Sequence, residues 1–137
     1  MARKSGGARI GYSLLDAEAR AKKNPDTFKI PSERMRLGLM AMADGGKVVF
    51  AKVIFMPLDS NDGERMWLRL AGWRGGRAGD GGRYVGVLDN LPVNPAFGLK
   101  EGDEVLFSAR HVIDVDTGKD GDGEGLIQRI ARAARSW

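Results

Sequence analysis

Along the middle of the chain, apolar and polar residues alternate in short bursts, and each burst ends in a cluster of Gly, Asp or Asn. A period of two marks strands, because successive side chains of a strand face opposite sides of a sheet. The densest burst, 47–56, reads Lys-Val-Val-Phe-Ala-Lys-Val-Ile-Phe-Met. Its nearly continuous Val, Ile and Phe predict a strand covered on both faces. A second strand follows over 65–73, with Met66, Leu68 and Leu70 on one side and Arg65, Trp67, Arg69 and Ala71 on the other. Further strands are expected at 83–88, 104–108 and 110–115. Turn signals separate them: Asp44-Gly45-Gly46, Asp59-Ser60-Asn61-Asp62-Gly63, Asp89-Asn90-Leu91-Pro92 and Leu99-Lys100-Glu101-Gly102-Asp103. Short strands at this spacing predict an α+β domain built on a small, strongly bent antiparallel sheet or barrel.

Helical periodicity is confined to the flanks. Ser13 is a candidate cap for a short helix running to Lys23, with Leu14, Leu15, Ala17, Ala19 and Ala21 compatible and Pro25 beyond its end. Phe28, Ile30 and Pro31 then read as an extended lead-in. The stretch 32–43 fits two descriptions: Met35, Leu37 and Leu39 alternate as in a strand, while Ser32 is placed to cap a helix. At the far end, Leu126, Ile127, Ile130, Ala134 and Trp137 share a face of an amphipathic helix whose other positions carry arginine. The expected organisation is a basic arm with a short helix (1–24), one core domain (25–116), an acidic Gly-rich linker (117–125) and the C-terminal amphipathic helix (126–137).

Composition narrows the function classes. The 137 residues fit one domain plus short tails. There is no cysteine, so disulfides and thiolate chemistry are excluded and a reducing, cytoplasmic setting is expected. No apolar run reaches the roughly 18 residues of a membrane span, and the basic N-terminal stretch is not followed by an apolar signal core. The formal net charge of +4 points to an acidic partner, either a nucleic acid or a protein surface. The cations cluster at 3–23, at 65–83 and at 129–135, with acidic residues between the last two groups.

The residues that carry chemistry elsewhere assemble no recognisable apparatus. One histidine, His111, sits beside Val112 and Ile113 and reads as a strand residue with a satisfied hydrogen bond. The acidic run Asp114, Asp116, Asp120, Asp122, Glu124 fails a calcium loop in either register, because glycine and the closing carboxylate never fall in place together. Gly79, Gly81 and Gly82 do not complete a dinucleotide fingerprint, since Tyr84 takes the third glycine position, and the chain has no Gly-Lys-Ser/Thr. No cofactor and no metal is expected. Trp67, Trp73 and Tyr84 with the nearby arginines offer aromatic platforms and cations of the kind that single-stranded nucleic acid needs. Asp89-Asn90-Leu91-Pro92 is the sharpest polar turn, and Asn90 either closes it or presents an amide to a partner.

Several of these segments together resemble the YegJ-like bacterial family, domain of unknown function 2314. The residues that carry the likeness are Phe28-Lys29-Ile30-Pro31-Ser32 with Arg36, Gly46-Lys47-Val48, and Glu64-Arg65-Met66-Trp67. Tyr84-Val85-Gly86-Val87-Leu88-Asp89-Asn90-Leu91-Pro92-Val93, Leu99-Lys100-Glu101-Gly102-Asp103-Glu104-Val105-Leu106-Phe107 and His111-Val112-Ile113 continue it. The likeness spans about 28–115; 37–46 looks longer than the family pattern, and 75–82 looks inserted. It implies a bacterial or mobile-element origin and a compact α+β domain, and it supplies no reaction and no catalytic residues.

The expected function is therefore a non-enzymatic, macromolecule-binding module, of inhibitor or immunity type by analogy with other small domains. The expected partner is a protein, with no membrane role. Nucleic-acid binding through the Arg-rich loop and basic tails is the alternative, and a hydrolase using Asp89, His111 or Glu64 is the second. Candidate partner-binding residues are Trp67, Arg69, Arg74, Arg77, Asn90, Arg129, Arg132 and Arg135. The C-terminal helix can also pack on its own domain or join two copies of the chain.

Overall fold

The 47–56 apolar burst becomes the central strand of the protein. In the computed structural model, which describes residues 11–74 and 83–117, it forms β2 (Val49–Pro57). The other strands are β1 (Tyr12–Leu14), β3 (Glu64–Arg74), β4 (Arg83–Leu88), β5 (Glu104–Phe107) and β6 (Asp114–Thr117). They pair antiparallel in the order β1-β2-β3-β4-β5, and β6 also pairs with β2. Strands β1 and β6 lie end to end along one edge of β2, since Leu14 stands opposite Phe55 and Asp114 opposite Lys52. The sheet curls strongly into a half-barrel.

Alternation along β2 divides the two faces. Val49, Ala51, Val53 and Phe55 face inward and join Met66, Leu68, Leu88, Val105 and Phe107 in the core. Aromatic rings fill the curl: Tyr12 meets Phe55 edge-on at 5.1 Å, and Tyr84 lies 5.3 Å from Phe107. Gly86 permits a close inward approach, because a Cβ there would sit 2.8 Å from Leu68 Cβ. Gly102, with φ +95, turns the chain into β5 in a backbone region that side chains resist.

Three short helices close the core. Helix α1 (Ala17–Lys23) is capped by Asp16, whose Oδ1 accepts from the Ala19 N–H at 3.0 Å. Ser13 is not the cap: it lies within β1 opposite Met56, because Tyr12 and Leu14 on either side of it pack toward the core. The ambiguous stretch 32–43 resolves into α2 (Glu33–Leu37) and α3 (Leu39–Asp44), broken at Gly38. Ser32 Oγ accepts from the Met35 N–H at 3.2 Å, so the cap outweighs the alternation. Of the alternating residues, only Leu39 is buried.

Arg36 ties these helices to the rest of the fold although it is only 5% exposed. Its Nη1 donates to Glu18 Oε2 at 2.6 Å and to the Ala109 carbonyl at 3.3 Å, and its Nε donates to the Pro31 carbonyl at 2.8 Å. The Tyr84 hydroxyl donates to the Arg36 carbonyl at 2.9 Å. A buried guanidinium needs such partners, because an uncompensated charge inside a protein costs several kcal/mol.

The expected strand at 110–115 is displaced. Residues Ala109–His111 form a 3₁₀ turn, and pairing with β2 begins only at Asp114. His111 is thus a turn residue, not a strand residue. The predicted C-terminal helix, the 75–82 loop and the start of the basic arm lie outside the described residues, and Thr117 ends β6 rather than opening a linker.

Candidate interaction surface

The chain leaves β4 at Leu88 and returns to the core at Phe97, and between them the Asp89, Val93, Asn94 and Ala96 N–H groups are each hydrogen-bonded. The Asp89 N–H donates to the Trp67 carbonyl at 3.0 Å. Asn90 then replaces a strand with its side chain, its Oδ1 accepting the Trp67 N–H at 2.5 Å. The Glu64 carboxylate takes the next two amides, Val93 N–H at 2.8 Å and Asn94 N–H at 3.2 Å. Asn94 Oδ1 accepts from the Ala96 N–H at 2.9 Å and caps a 3₁₀ turn, Pro95–Phe97. Phe97 anchors the far end: it is 1% exposed, with its ring 6.0 Å from Phe55.

Between these ties, two large apolar side chains point to water. Val93 is 84% exposed and Leu91 61%. Leu58, 69% exposed, lies in the β2–β3 loop, which meets the sheet at the Glu64 end. These are the three most exposed large apolar residues among those described, and all sit at one end of the half-barrel. An ordered loop has already lost much of the entropy that binding would otherwise have to remove.

The sequence-derived candidates separate. Trp67 and Arg69 share the outer face of β3, opposite Lys52 and Phe50 of β2. The Lys52 ammonium lies 4.8 Å from the Trp67 ring centre, so that indole is already engaged by a cation. Asn90 is used on the Trp67 backbone. Arg74 lies at the opposite end of β3, opposite Arg83 and about 20 Å from Trp67 by strand rise. Arg77, Arg129, Arg132 and Arg135 lie outside the described residues. What the sequence reading missed is the Leu58, Leu91 and Val93 group and the clamp formed by Glu64. The presence of both apolar residues beside Pro92 in a turn was the available signal.

The residues named for hydrolysis also part company. His111 Nδ1 accepts the Ser108 N–H at 3.0 Å, so a neutral ring carries its proton on Nε2. Burial lowers its pKa to about 4, with Arg110 adding to the effect. His111 lines a cleft of about 420 Å³ with Tyr12, Arg83, Glu104 and Arg110; neither Asp89 nor Glu64 is among its described lining residues. Tyr12 is held above the usual phenol value by burial and by the nearby Asp103 carboxylate. Among the described residues, no three or more His, Asp or Glu side chains gather as a metal site would require, and no helix is long and apolar enough to cross a membrane.

No protein-family model, no curated protein and no solved structure matches this chain.

Proposed function

We propose that the protein is a non-enzymatic, cytosolic protein-binding module whose contact surface is the Leu91–Val93 tip, with Leu58 exposed at the same end of the sheet. The observation that carries this reading is the combination at one loop of strong apolar exposure and dense backbone anchoring. Exposed apolar side chains cost nothing to bury against a partner, and clusters of them mark interaction sites more often than isolated ones do. Two of the three hydrolase candidates support the same reading, because Glu64 and His111 each accept from backbone amides. The resemblance to the YegJ-like family is compatible with it and adds no reaction. An inhibitor or immunity-type role is the form of binding that suits so small a domain.

The test compares capture from lysate by the wild type and by a folded Leu91→Asp, Val93→Asp variant. A protein retained by the first and lost by the second supports the proposal. Identical capture by both removes the tip as the contact surface.

Nucleic-acid binding is the second reading, favoured by the cations that surround Trp67 on the outer face, Lys52, Arg65 and Arg69. It requires affinity for a single-stranded oligonucleotide that falls steeply with salt. Fluorescence anisotropy at low salt with no change on titration would dispose of it.

A further inference from the structure

The curled sheet ends in two strands that each have a partner on one side only. Strands β1 and β5 stand at the two ends of the order β1-β2-β3-β4-β5, and both line the cleft of about 420 Å³ that also holds His111. Along an antiparallel pair, every second residue turns its N–H and C=O away from the partner strand. On β1, the Leu15 N–H donates to the Ile54 carbonyl at 3.0 Å, and Leu14 stands opposite Phe55. Tyr12 and Leu14 therefore turn their main-chain groups away from β2. On β5, the Leu88 N–H donates to the Asp103 carbonyl at 2.8 Å, and Val87 stands opposite Glu104. Glu104 and Leu106 therefore turn theirs away from β4. Ser108, the next residue in that phase, gives its N–H to His111 Nδ1 at 3.0 Å. Among the described residues, Tyr12, Leu14, Glu104 and Leu106 have no main-chain hydrogen bond on the free side.

These four residues line the cleft from both walls, Tyr12 and Leu14 on one side and Glu104 and Leu106 on the other. Each presents one donor and one acceptor. Charge is graded along the cleft. Tyr84 stands opposite Phe107, so Arg83 lies at the Ser108 end of β5, where Arg110 and His111 also line the cleft. Glu104 lies at the other end of the strand. Burial first, then Arg110 and Arg83, lower the His111 pKa against an opposing Asp16, which fits both cations acting at that end. Asp16 is engaged as the cap of α1, and Asp103, which acts on Tyr12, is engaged by Lys100. Neither arginine has an ion-pair partner among the described residues.

We infer that an extended segment of another polypeptide adds to this cleft as a strand, pairing with the free edge of β5 and carrying an acidic side chain toward Arg83 and Arg110. The main chain selects this occupant. An extended peptide repeats its donors and acceptors every second residue, the same period at which Glu104 and Leu106 present theirs. Unpaired strand edges are the template for such addition. A helix consumes its own main-chain groups and would leave those of β5 unmet. The graded charge then sets the chemistry at one end, because a carboxylate at the Ser108 end meets two cations that lack a described partner. Leu91 and Val93 are not among the residues that line the cleft, so this inference goes beyond the protein-binding proposal and does not depend on it.

The probe is a library of random decapeptides displayed on phage and selected on the full-length protein, with the selected sequences then made as free peptides. They are expected to carry an acidic residue and to shift the Glu104 and Leu106 amide signals in NMR spectra. They should bind the Leu91→Asp, Val93→Asp variant unchanged, and loss of binding there would overturn the inference by assigning the peptides to the tip. Leu106→Pro removes a free-side N–H while leaving the β4 ladder intact. It is expected to weaken binding about ten-fold or more, and undiminished binding would overturn the inference. Should that variant not fold, N-methylation of the central residues of the peptide reads the same main-chain pairing from the other partner, and full tolerance of it would overturn the inference. Selection on Arg110→Glu protein should exchange the acidic residue for a basic one. Recovery of no peptide, or amide shifts confined to residues outside the cleft, would likewise overturn the inference.

Discussion

Replacing Glu64 by Gln should loosen the interaction tip while leaving the sheet intact. Both carboxylate oxygens are engaged, one by the Val93 N–H at 2.8 Å and the other by the Asn94 N–H at 3.2 Å. Glutamine retains one acceptor and turns an NH₂ donor toward the second N–H, so one bond is lost and the other loses its charge. Hydrogen bonds to charged groups contribute about 1.5–3 kcal/mol each when shielded. These two lie near solvent, which places the expected loss at about 1–2 kcal/mol. Local opening would then become roughly 5–30 times more frequent. Native-state amide exchange followed by NMR reads this directly at Val93 and Asn94, with the β2 and β3 amides as internal references. If exchange at both positions changes by less than about two-fold, the loop is held by something other than Glu64 and the argument for a pre-ordered tip fails.

Glu18→Gln removes the carboxylate from the buried Arg36 guanidinium; since Glu18 itself is partly exposed, the expected cost is about 2 kcal/mol, read as a fall in Tm of roughly 5–10 °C. His111 should titrate near pH 4 in an NMR experiment. The unfolded chain binds that proton more readily, so stability from the neutral ring is complete above about pH 6.5 and is lost as pH falls toward 4. The full effect is at most about 3 kcal/mol, and partial solvent contact reduces it to about 1–2. A ring titrating at 6 or above would contradict the burial described. Gly86→Ala puts a methyl group 2.8 Å from Leu68 Cβ and 3.0 Å from Phe107 Cε1, and denaturant unfolding should show a loss of about 1–3 kcal/mol.

Much of the sheet was legible in the sequence, because β2, β3 and β4 carry their own periodicity and are bounded by strong turn residues. Strand β4 matches the expected 83–88 residue for residue. Strand β1 was not legible: three residues with Ser13 at the centre carry too little pattern, and their strand character comes from pairing with residues more than forty positions away. In the same way 32–43 looked undecided because Arg36, the residue that anchors it, finds Glu18 and Ala109 only in the folded chain. The site divides along the same line. A turn-closing role for Asn90 follows from its residue type, and the structure supplies only the partner, the Trp67 amide. Glu64 acts on amides 29 and 30 positions away, and no local spacing announces that. Exposure of Leu91 and Val93 was equally hidden, since an apolar residue in a turn reads the same whether it faces the core or water.

The claim that the 91–93 tip is a protein-contact surface is tested most directly by placing the photo-crosslinking residue p-benzoylphenylalanine at Val93 in the full-length protein in cells. A discrete adduct of higher mass containing one other protein is expected. The same residue at Thr27, on a different surface of the molecule, should leave that adduct absent. No adduct at position 93, or the same adducts from both positions, would contradict it.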